Sequence, residues 1–239
     1  MTEISLIELS QVVINCTRCP RLIAYCRAVA STKKRMYRED HYWGKPVPGF
    51  GDSRARILIV GLAPAAHGAN RTGRMFTGDG IDGMGASDFL VAAMQRAGYA
   101  NMSISRQRDD GLKLRDVFIT AIARCAPPGN KPMRHEIENC ARFLLAELDL
   151  LQNVRVVIAV GKLAFDQILR VFSERGAVLP RPKPKFEHAA SFKLGIEYPL
   201  VVASYHPSRQ NTQTGRLTPG MLDDIFRIAR ETLITVNQT

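Results

Sequence analysis

The chain has 239 residues, of which 46% are hydrophobic, and this length and composition allow one good hydrophobic core. Lys and Arg outnumber Asp and Glu by 33 to 22, and the resulting net charge of +11 favours an anionic partner such as nucleic acid. The chain begins with no cationic leader and has no apolar run of membrane-spanning length, which excludes a membrane protein and predicts a soluble, cytoplasmic one.

Four short apolar runs, rich in Val and Ile, predict the strands of a parallel sheet that is covered on both faces. In chain order they are RILIVG (56–61), VFITAIA (117–123), VRVVIAVG (154–161) and LVVASY (200–205). Helical patterns lie between them at 86–97, 132–150 and 161–172. The alternation predicts a single domain over residues 1–239, a three-layer α/β/α sandwich with a central four-stranded parallel sheet. The first 50 residues and 179–190 do not fit it, and we expect the latter to be an exposed basic loop or hairpin.

Polar stretches follow three of the strands, at 61–82, 124–131 and 205–217. Because the carboxyl ends of parallel strands meet at one edge, we expect these loops to converge on a ligand. The first contains five glycines in GLAPAAHGANRTGRMFTGDG, which suits either a backbone that cradles a flat or anionic group or a long flexible turn. It also carries Phe76, Asp79, Asn70, Arg71 and Arg74, which are residue types that do chemistry or bind phosphate. It lacks the Walker A and G-x-G-x-x-G patterns, which disfavours nucleotide hydrolysis and dinucleotide binding.

The five cysteines suggest a metal site. Cys16 and Cys19 form a C-x-x-C, and Cys125 and Cys140 bring the number to the four that an iron-sulfur cluster or an all-cysteine zinc site requires. Spacing alone does not decide between these two, and a C-x-x-C also occurs in redox pairs or by accident. Structural disulfides are not expected in a reducing compartment. We interpret the remaining Cys26 as a small buried hydrophobe.

Four stretches together give the chain a resemblance to a known family. They are the C-x-x-C, GLAPAAHGANRTGRMFTGDG, RCAPPGNKP and SYHPSRQNTQTGRLT. In this order, from Cys16 to about Thr218, they resemble the family 5 (type b) uracil-DNA glycosylases, the iron-sulfur branch of the superfamily. The resemblance implies a monomeric, nucleoid-associated repair enzyme that flips a damaged base out of DNA and hydrolyses its N-glycosidic bond, leaving an abasic site. The substrates implied are uracil, hypoxanthine, hydroxymethyluracil and ethenocytosine.

The resemblance also implies roles for individual residues. Phe76 matches the aromatic residue that stacks on the flipped base, whereas without the resemblance an ordinary core residue is the better interpretation. His206 matches the histidine that donates to the base oxygen, whereas a lone histidine at a strand end often only caps or packs. Asp79 resembles the acid that orients water or stabilises the sugar cation, because the usual acid or amide after the first strand is replaced here by Gly61-Leu62-Ala63-Pro64. An Asp between two glycines is otherwise a common turn residue.

Further residues are assigned to the base and to DNA. Gly61 and Ala63 are expected at the base, as is Asn130, which is equally suited to capping its turn. The second strand offers Thr120 and Ala121 where strict uracil readers have an asparagine, which predicts broad specificity. The residues expected to contact DNA are Ser208, Arg209, Gln210, Asn211 and Leu217. One of Arg209, Gln210 or Leu217 is expected to wedge into the gap that the flipped base leaves in the stack. A nonspecific DNA track is expected from Arg18, Arg21, Arg124, Lys131 and 181–185, although each charge alone is more often just solvated.

The resemblance favours a 4Fe-4S cluster over zinc, with Cys16, Cys19, Cys125 and Cys140 as its ligands. Glycosidic hydrolysis moves no electrons, so we expect the cluster to tie the N-terminal segment to the loop and helix after the second strand. Two other classes of protein remain open. One is a noncatalytic iron-sulfur or zinc module that binds DNA, and the other is a hydrolase of free nucleosides, against which the net charge argues.

Overall fold

A computed structural model describes residues 5–80 and 85–236. In these residues a six-stranded sheet has the order β1-β3-β2-β4-β6-β5. The strands are β1 (Phe50–Gly51), β2 (Ile57–Gly61), β3 (Val117–Ala121), β4 (Val156–Val160), β5 (Ser191–Phe192) and β6 (Leu200–Ser204). The four longer strands pair in parallel, which confirms the predicted centre of the sheet. The sheet as a whole is mixed, because the two-residue β1 and β5 add antiparallel edges that are too short to leave a sequence pattern.

The helices cover both faces of the sheet and the N-terminal segment. They are α1 (Leu6–Ile14), α2 (Pro20–Thr32), α3 (Ala69–Thr72), α4 (Ala86–Arg96), α5 (Arg134–Leu150), α6 (Lys162–Glu174), α7 (Arg209–Gln213) and α8 (Pro219–Val236). The three predicted helices are confirmed as α4, α5 and α6, with ends that differ by one or two residues. None of the described helices is long and apolar enough to cross a membrane.

The side chains of β2 show how the layers are filled. Ile57 and Ile59 belong to a core with residues of α4 and α8, whereas Leu58 and Val60 belong to a second core with residues of α5 and α6. Successive side chains of a strand point to opposite faces, so a strand with helices on both sides is apolar at every position. The predicted three-layer sandwich is therefore confirmed.

Two segments lie outside the strand-helix alternation, as expected. In the N-terminal segment, α1 packs against α5 and α2 contacts α3. Residues 179–190 form a loop between α6 and β5, and its Arg181, Lys183 and Lys185 are exposed.

Candidate active site

A cavity of about 370 Å³ opens where β2, β3 and β6 end, and we call it the edge cavity. The loops after these three strands supply its wall, including Ala63, Phe76, Asp79, Asn130 and His206. Its volume is within the range of small-molecule pockets and suits a single nucleobase. The structure thus brings together most of the residues expected at the base and at the reacting bond. Gly61 is the exception, because it is buried against the Phe76 ring and its carbonyl accepts from the N–H of Ile122 at 3.0 Å.

Phe76 forms one wall of the edge cavity through an unusual backbone conformation. Its φ is +47°, a left-handed value that a bulky residue rarely adopts and that costs free energy. A Cβ at Gly61 would lie 2.9 Å from the Phe76 ring, so a glycine is needed at the end of β2 for the ring to approach. The ring centroids of Phe76 and His206 are 6.0 Å apart. Phe76 therefore packs on the core and also presents its ring beside His206.

The arginines of the glycine-rich loop are structural, and the expectation that they bind phosphate is wrong. Arg71 and Arg74 are only 6% and 7% exposed. Arg71 pairs with Asp40 at 2.5 Å, and Arg74 pairs with Asp110 at 2.5 Å. Their remaining donors bond to backbone carbonyls, such as that of Gly78 from Arg71 at 2.7 Å, and, for Arg74, also to the hydroxyls of Thr77 and Ser105. Buried guanidinium groups need such partners, and these fix the loop around the cavity.

Asn70, which belongs to the same set, is fully buried. Its amide lies 3.4 Å from the carbonyl of Cys26 and 3.3 Å from that of Ala66. It therefore ties the loop to α2 and does not reach a phosphate.

Asp79 both lines the edge cavity and caps a helix. Its Oδ1 accepts a hydrogen bond from the N–H of Ser87, in the first turn of α4, at 2.8 Å. The positive end of a helix dipole favours a negative charge at this place. A Cβ at Gly68 would lie 2.7 Å from the Asp79 Cβ, so that glycine lets the loop return close to itself. The capping bond gives the carboxylate a fixed position in the wall.

His206 follows β6 directly after Tyr205. Burial lowers the pKa of His206, and the nearby charge of Asp79 opposes that shift only in part. The imidazole is therefore neutral at neutral pH and has one N–H to donate. The side-chain amide of Asn211 donates to the backbone carbonyl of His206 at 2.8 Å, which anchors the loop from its far side.

The end of β3 forms one side of the edge cavity. Ala121 lines the edge cavity, whereas the Thr120 hydroxyl is buried and donates to Glu147 at 2.7 Å. Asn130 lies exposed at the rim in a left-handed conformation, with φ +56°. Within the described part of the chain no hydrogen bond joins its side chain to the turn, so it is available to a ligand. No side-chain amide of β3 reaches the cavity.

The loop after His206 separates into exposed and buried residues. Ser208 caps α7 by accepting from the N–H of Asn211 at 3.4 Å, and Arg209 and Gln210 are exposed. Leu217 is only 1% exposed, and its N–H bonds to the Asn211 carbonyl at 3.0 Å. In this conformation Leu217 anchors the loop in the protein, contrary to the expectation that it contacts DNA.

Fewer residues than expected are available for the nonspecific DNA track. Arg124 is 1% exposed and pairs with Glu147 at 2.6 Å, so it is no DNA contact. Arg21 forms two bonds to Glu136, at 2.8 and 2.7 Å, and remains partly exposed. Arg18 and Lys131 lie on the surface, as the loop 181–185 largely does.

The four predicted cluster cysteines, with their surroundings, form what we call the cysteine region. Cys16 and Cys19 lie between α1 and α2, Cys125 follows β3, and Cys140 is on α5. Burial raises the pKa of Cys19 and Cys140, and a hydrogen bond with Cys26, together with burial, raises that of Cys125. Negative charge on other thiols raises these pKa values further. Cys19 and Cys125 belong to one packed cluster of side chains, and Cys16 packs with Cys140 in another.

Cys26 adds a fifth thiol to this region. It is fully buried, as expected, but it also contacts Cys125. All five cysteines are free.

The cysteine region offers donor atoms of the kind that an iron-sulfur cluster takes, although the described residues do not place them as a metal site. Across residues 5–80 and 85–236, no three Cys, His, Asp or Glu side chains are placed to hold one metal ion. A four-iron cluster takes one thiolate per iron and is commonly tuned by hydrogen bonds to sulfur. Here the donors are all sulfur, they are mostly buried, and the Asn139 amide lies 3.6 Å from Cys19 Sγ. The type of donor atom and its burial therefore suit an iron-sulfur cluster.

Known proteins are similar in sequence to this chain over most of its length. A sequence model of the Uracil DNA glycosylase superfamily matches residues 48–230. The Type-5 uracil-DNA glycosylase of Mycobacterium tuberculosis is 47% identical, covering 95% of this chain and 81% of its own. That of Thermus thermophilus is 44% identical over 92% and 94% of the two chains. The Type-4 uracil-DNA glycosylase of Pyrobaculum aerophilum is 27% identical over 84% and 82%.

Proposed function

Since this chain belongs to the type-5 branch of the uracil-DNA glycosylase superfamily, we propose that it excises uracil from DNA by hydrolysing the N-glycosidic bond. The product is an abasic site. The observation that carries the proposal is the edge cavity, which combines a ring wall (Phe76), a carboxylate (Asp79) and a neutral imidazole (His206) in a volume that suits one base.

Entry of the base into the edge cavity requires that the nucleotide leave the DNA stack. Unstacking costs a few kcal/mol. Stacking on an aromatic side chain returns about 1 to 3 kcal/mol per base. The Phe76 ring is held in place before the base arrives by its contact with Gly61, so little further ordering is needed.

The departing base is stabilised by His206. When the bond between C1′ and the base nitrogen breaks, its electron pair leaves with the base, and negative charge spreads to the base oxygens. A neutral imidazole N–H next to such an oxygen stabilises the charge as it develops. Burial keeps His206 in that neutral form.

The sugar is left with positive charge, and Asp79 is the carboxylate that faces the same cavity. Its fixed negative charge stabilises the oxocarbenium-like sugar. A water molecule that is hydrogen-bonded to the Asp79 carboxylate adds to C1′ through its oxygen and gives its proton to that carboxylate. The base anion takes up a proton as it leaves, and Asp79 returns its proton to solvent, so that the net change is the addition of water across the bond. The bond to Ser87 holds the carboxylate in place during both steps.

The substrate range extends beyond uracil. The β3 side of the edge cavity presents Ala121, while the Thr120 hydroxyl bonds to Glu147. A site with few matched polar groups discriminates weakly between bases. We therefore propose that hypoxanthine, hydroxymethyluracil and ethenocytosine are also released, with Asn130 and the backbone of Ala63 contacting the base.

A 4Fe-4S cluster is proposed for the cysteine region, held by Cys16, Cys19, Cys125 and Cys140. When bound, it would supply a tie between the N-terminal helices and the segment after β3, since hydrolysis transfers no electrons. Purified protein should contain about four iron per chain and absorb broadly at roughly 400 nm. Stoichiometric zinc without iron would overturn this assignment.

DNA is the proposed partner, bound by one molecule of the protein in the cytoplasm. We propose that the exposed Arg209 and Gln210 enter the minor groove, and the bonds of Ser208 and Asn211 that hold the segment carrying them support this proposal. The net charge of +11 adds attraction for phosphates that weakens with salt.

The proposal is tested with a duplex oligonucleotide that contains one uracil, under single-turnover conditions. Alkali-labile cleavage at the uracil position is expected. A binding assay on the same duplex and a free-nucleoside reaction are run beside it. Binding without abasic product would indicate a noncatalytic DNA-binding module, and hydrolysis of the nucleoside alone would indicate a nucleosidase.

A further inference from the structure

His188 lies in the loop before β5, and both of its ring nitrogens bond to the backbone. Nδ1 accepts from the N–H of Tyr205 at 3.1 Å. Nε2 donates to the carbonyl of Met221, at the start of α8, at 3.1 Å. An amide N–H can only donate and a carbonyl can only accept, so these partners define one neutral tautomer.

The backbone beside His188 is built around these bonds. Ala189 has φ +64°, a left-handed value that is uncommon for any residue but glycine. The Ala189 N–H bonds to the Ala203 carbonyl at 2.9 Å, and the Ala203 N–H bonds to the Ala190 carbonyl at 2.9 Å. The strained segment is thus attached to β6 shortly before Tyr205.

Tyr205 directly follows the last residue of β6, and its ring contacts three side chains. Its ring lies 5.1 Å from the His188 ring and 5.9 Å from the Phe186 ring. The Arg216 guanidinium lies 4.8 Å from the Tyr205 ring centroid. Tyr205 is the residue directly before His206.

His206 is therefore flanked by two side-chain anchors on its backbone. His188 holds the N–H of the residue before it, and Asn211 holds its own carbonyl at 2.8 Å. A donor that must meet a developing charge needs a fixed position, because a misplacement of about 1 Å can cost about 10²-fold in rate.

We propose that His188 is a positioning residue for His206, acting through the hydrogen bond from the Tyr205 N–H to its Nδ1. The inference rests on the proposed function, in which His206 stabilises the departing base. It assigns a reaction-specific role to a half-buried residue 18 positions upstream of His206.

Two substitutions separate the two bonds of His188. In His188→Asn the side-chain oxygen occupies the place of Nδ1 and can still accept from Tyr205. In His188→Gln the amide reaches the place of Nε2 and can still donate to Met221, but the acceptor for Tyr205 is lost. Single-turnover uracil release, DNA affinity and melting temperature are measured for both variants and for His206→Ala.

The expected result is that His188→Gln slows release by roughly 10- to 100-fold with little change in affinity, while His188→Asn stays within about threefold of the unmodified protein. The inference would be overturned if the two variants had equal rates, whether reduced or not, or if only His188→Asn were slowed. An undiminished rate in His206→Ala would instead defeat the proposed role of His206, so the two failures are distinguishable.

Discussion

The edge cavity and the cysteine region differ in what their polar groups face. In the edge cavity Asp79, Asn130 and His206 are half-buried or exposed and border open space. In the cysteine region Cys125 and Cys140 are buried, and other thiols of the region contribute to raising their pKa values. Groups that border a cavity can reach a substrate, whereas groups that face one another hold chain segments together.

The difference implies that damage to the two regions has separable effects. Substitutions of the polar groups of the edge cavity should reduce the rate of base release with little change in stability at neutral pH. Substitutions in the cysteine region should reduce stability and leave the rate of the folded fraction unchanged.

Cys140→Ser should have the largest effect on stability. Losing a cluster ligand on α5 removes the tie between helices, and we expect a loss above about 4 kcal/mol in the free energy of unfolding. Iron content and denaturant unfolding measure this, with uracil release normalised to folded protein. Cys26→Ala, the matched control, should retain its iron. A Cys140→Ser protein with full iron and normal unfolding would contradict the role of the cysteine region.

Asp79→Asn should slow base release by about 100-fold, or about 2.7 kcal/mol. The amide oxygen can still accept from Ser87, so the fold is retained, but a neutral group cannot balance the sugar's positive charge. The loss should be similar for uracil and hypoxanthine because the sugar is common to both. Asp109→Asn, an exposed carboxylate, is the control. Near-normal rates with normal melting would return Asp79 to a capping role.

Leu217→Ala and Gln210→Ala divide the loop after His206 into its two functions. Leu217 is buried, so its truncation should lower the free energy of unfolding by about 2 to 3 kcal/mol. Gln210 is exposed, so its truncation should change stability by less than about 0.5 kcal/mol and weaken binding to uracil-containing DNA. Thermal unfolding and DNA titration measure both. A stable Leu217→Ala protein with impaired DNA binding would instead support the wedge that the sequence suggested.

The smallest expected effect is a pH dependence of stability from His206. Because burial lowers the pKa of His206, the folded chain stays neutral there while the unfolded chain takes up a proton near its ordinary pKa of about 6.5. This stabilisation is complete above pH ~6.5 and is lost as the pH falls through the folded pKa. The unmodified protein should therefore lose more stability on acidification than His206→Gln. Parallel curves would show that the pKa of His206 is not lowered.

The parallel sheet and the convergence of three loops were predictable from sequence. β2, β3, β4 and β6 are each apolar on both faces, and the rule that ligands bind at carboxyl ends needs only their order. The edge strands β1 and β5 were not predictable, since two residues carry no periodicity.

The ion pairs could not be predicted from the sequence, because the two residues of each pair are distant in the chain. Arg74 pairs with Asp110, 36 residues away, and Arg124 pairs with Glu147, 23 residues away. A sequence shows the arginine but not the carboxylate that buries it. The bond between His188 and Tyr205 was missed for the same reason, and no local motif marks it.

The most direct test of the account is the single-turnover rate of uracil release by His206→Ala, measured with its DNA affinity and melting temperature. The expected rate is lower by roughly 10² or more, with affinity and melting little changed, because the imidazole acts on charge that exists only as the bond breaks. A rate equal to that of the unmodified protein would contradict it and would leave His206 with a structural role.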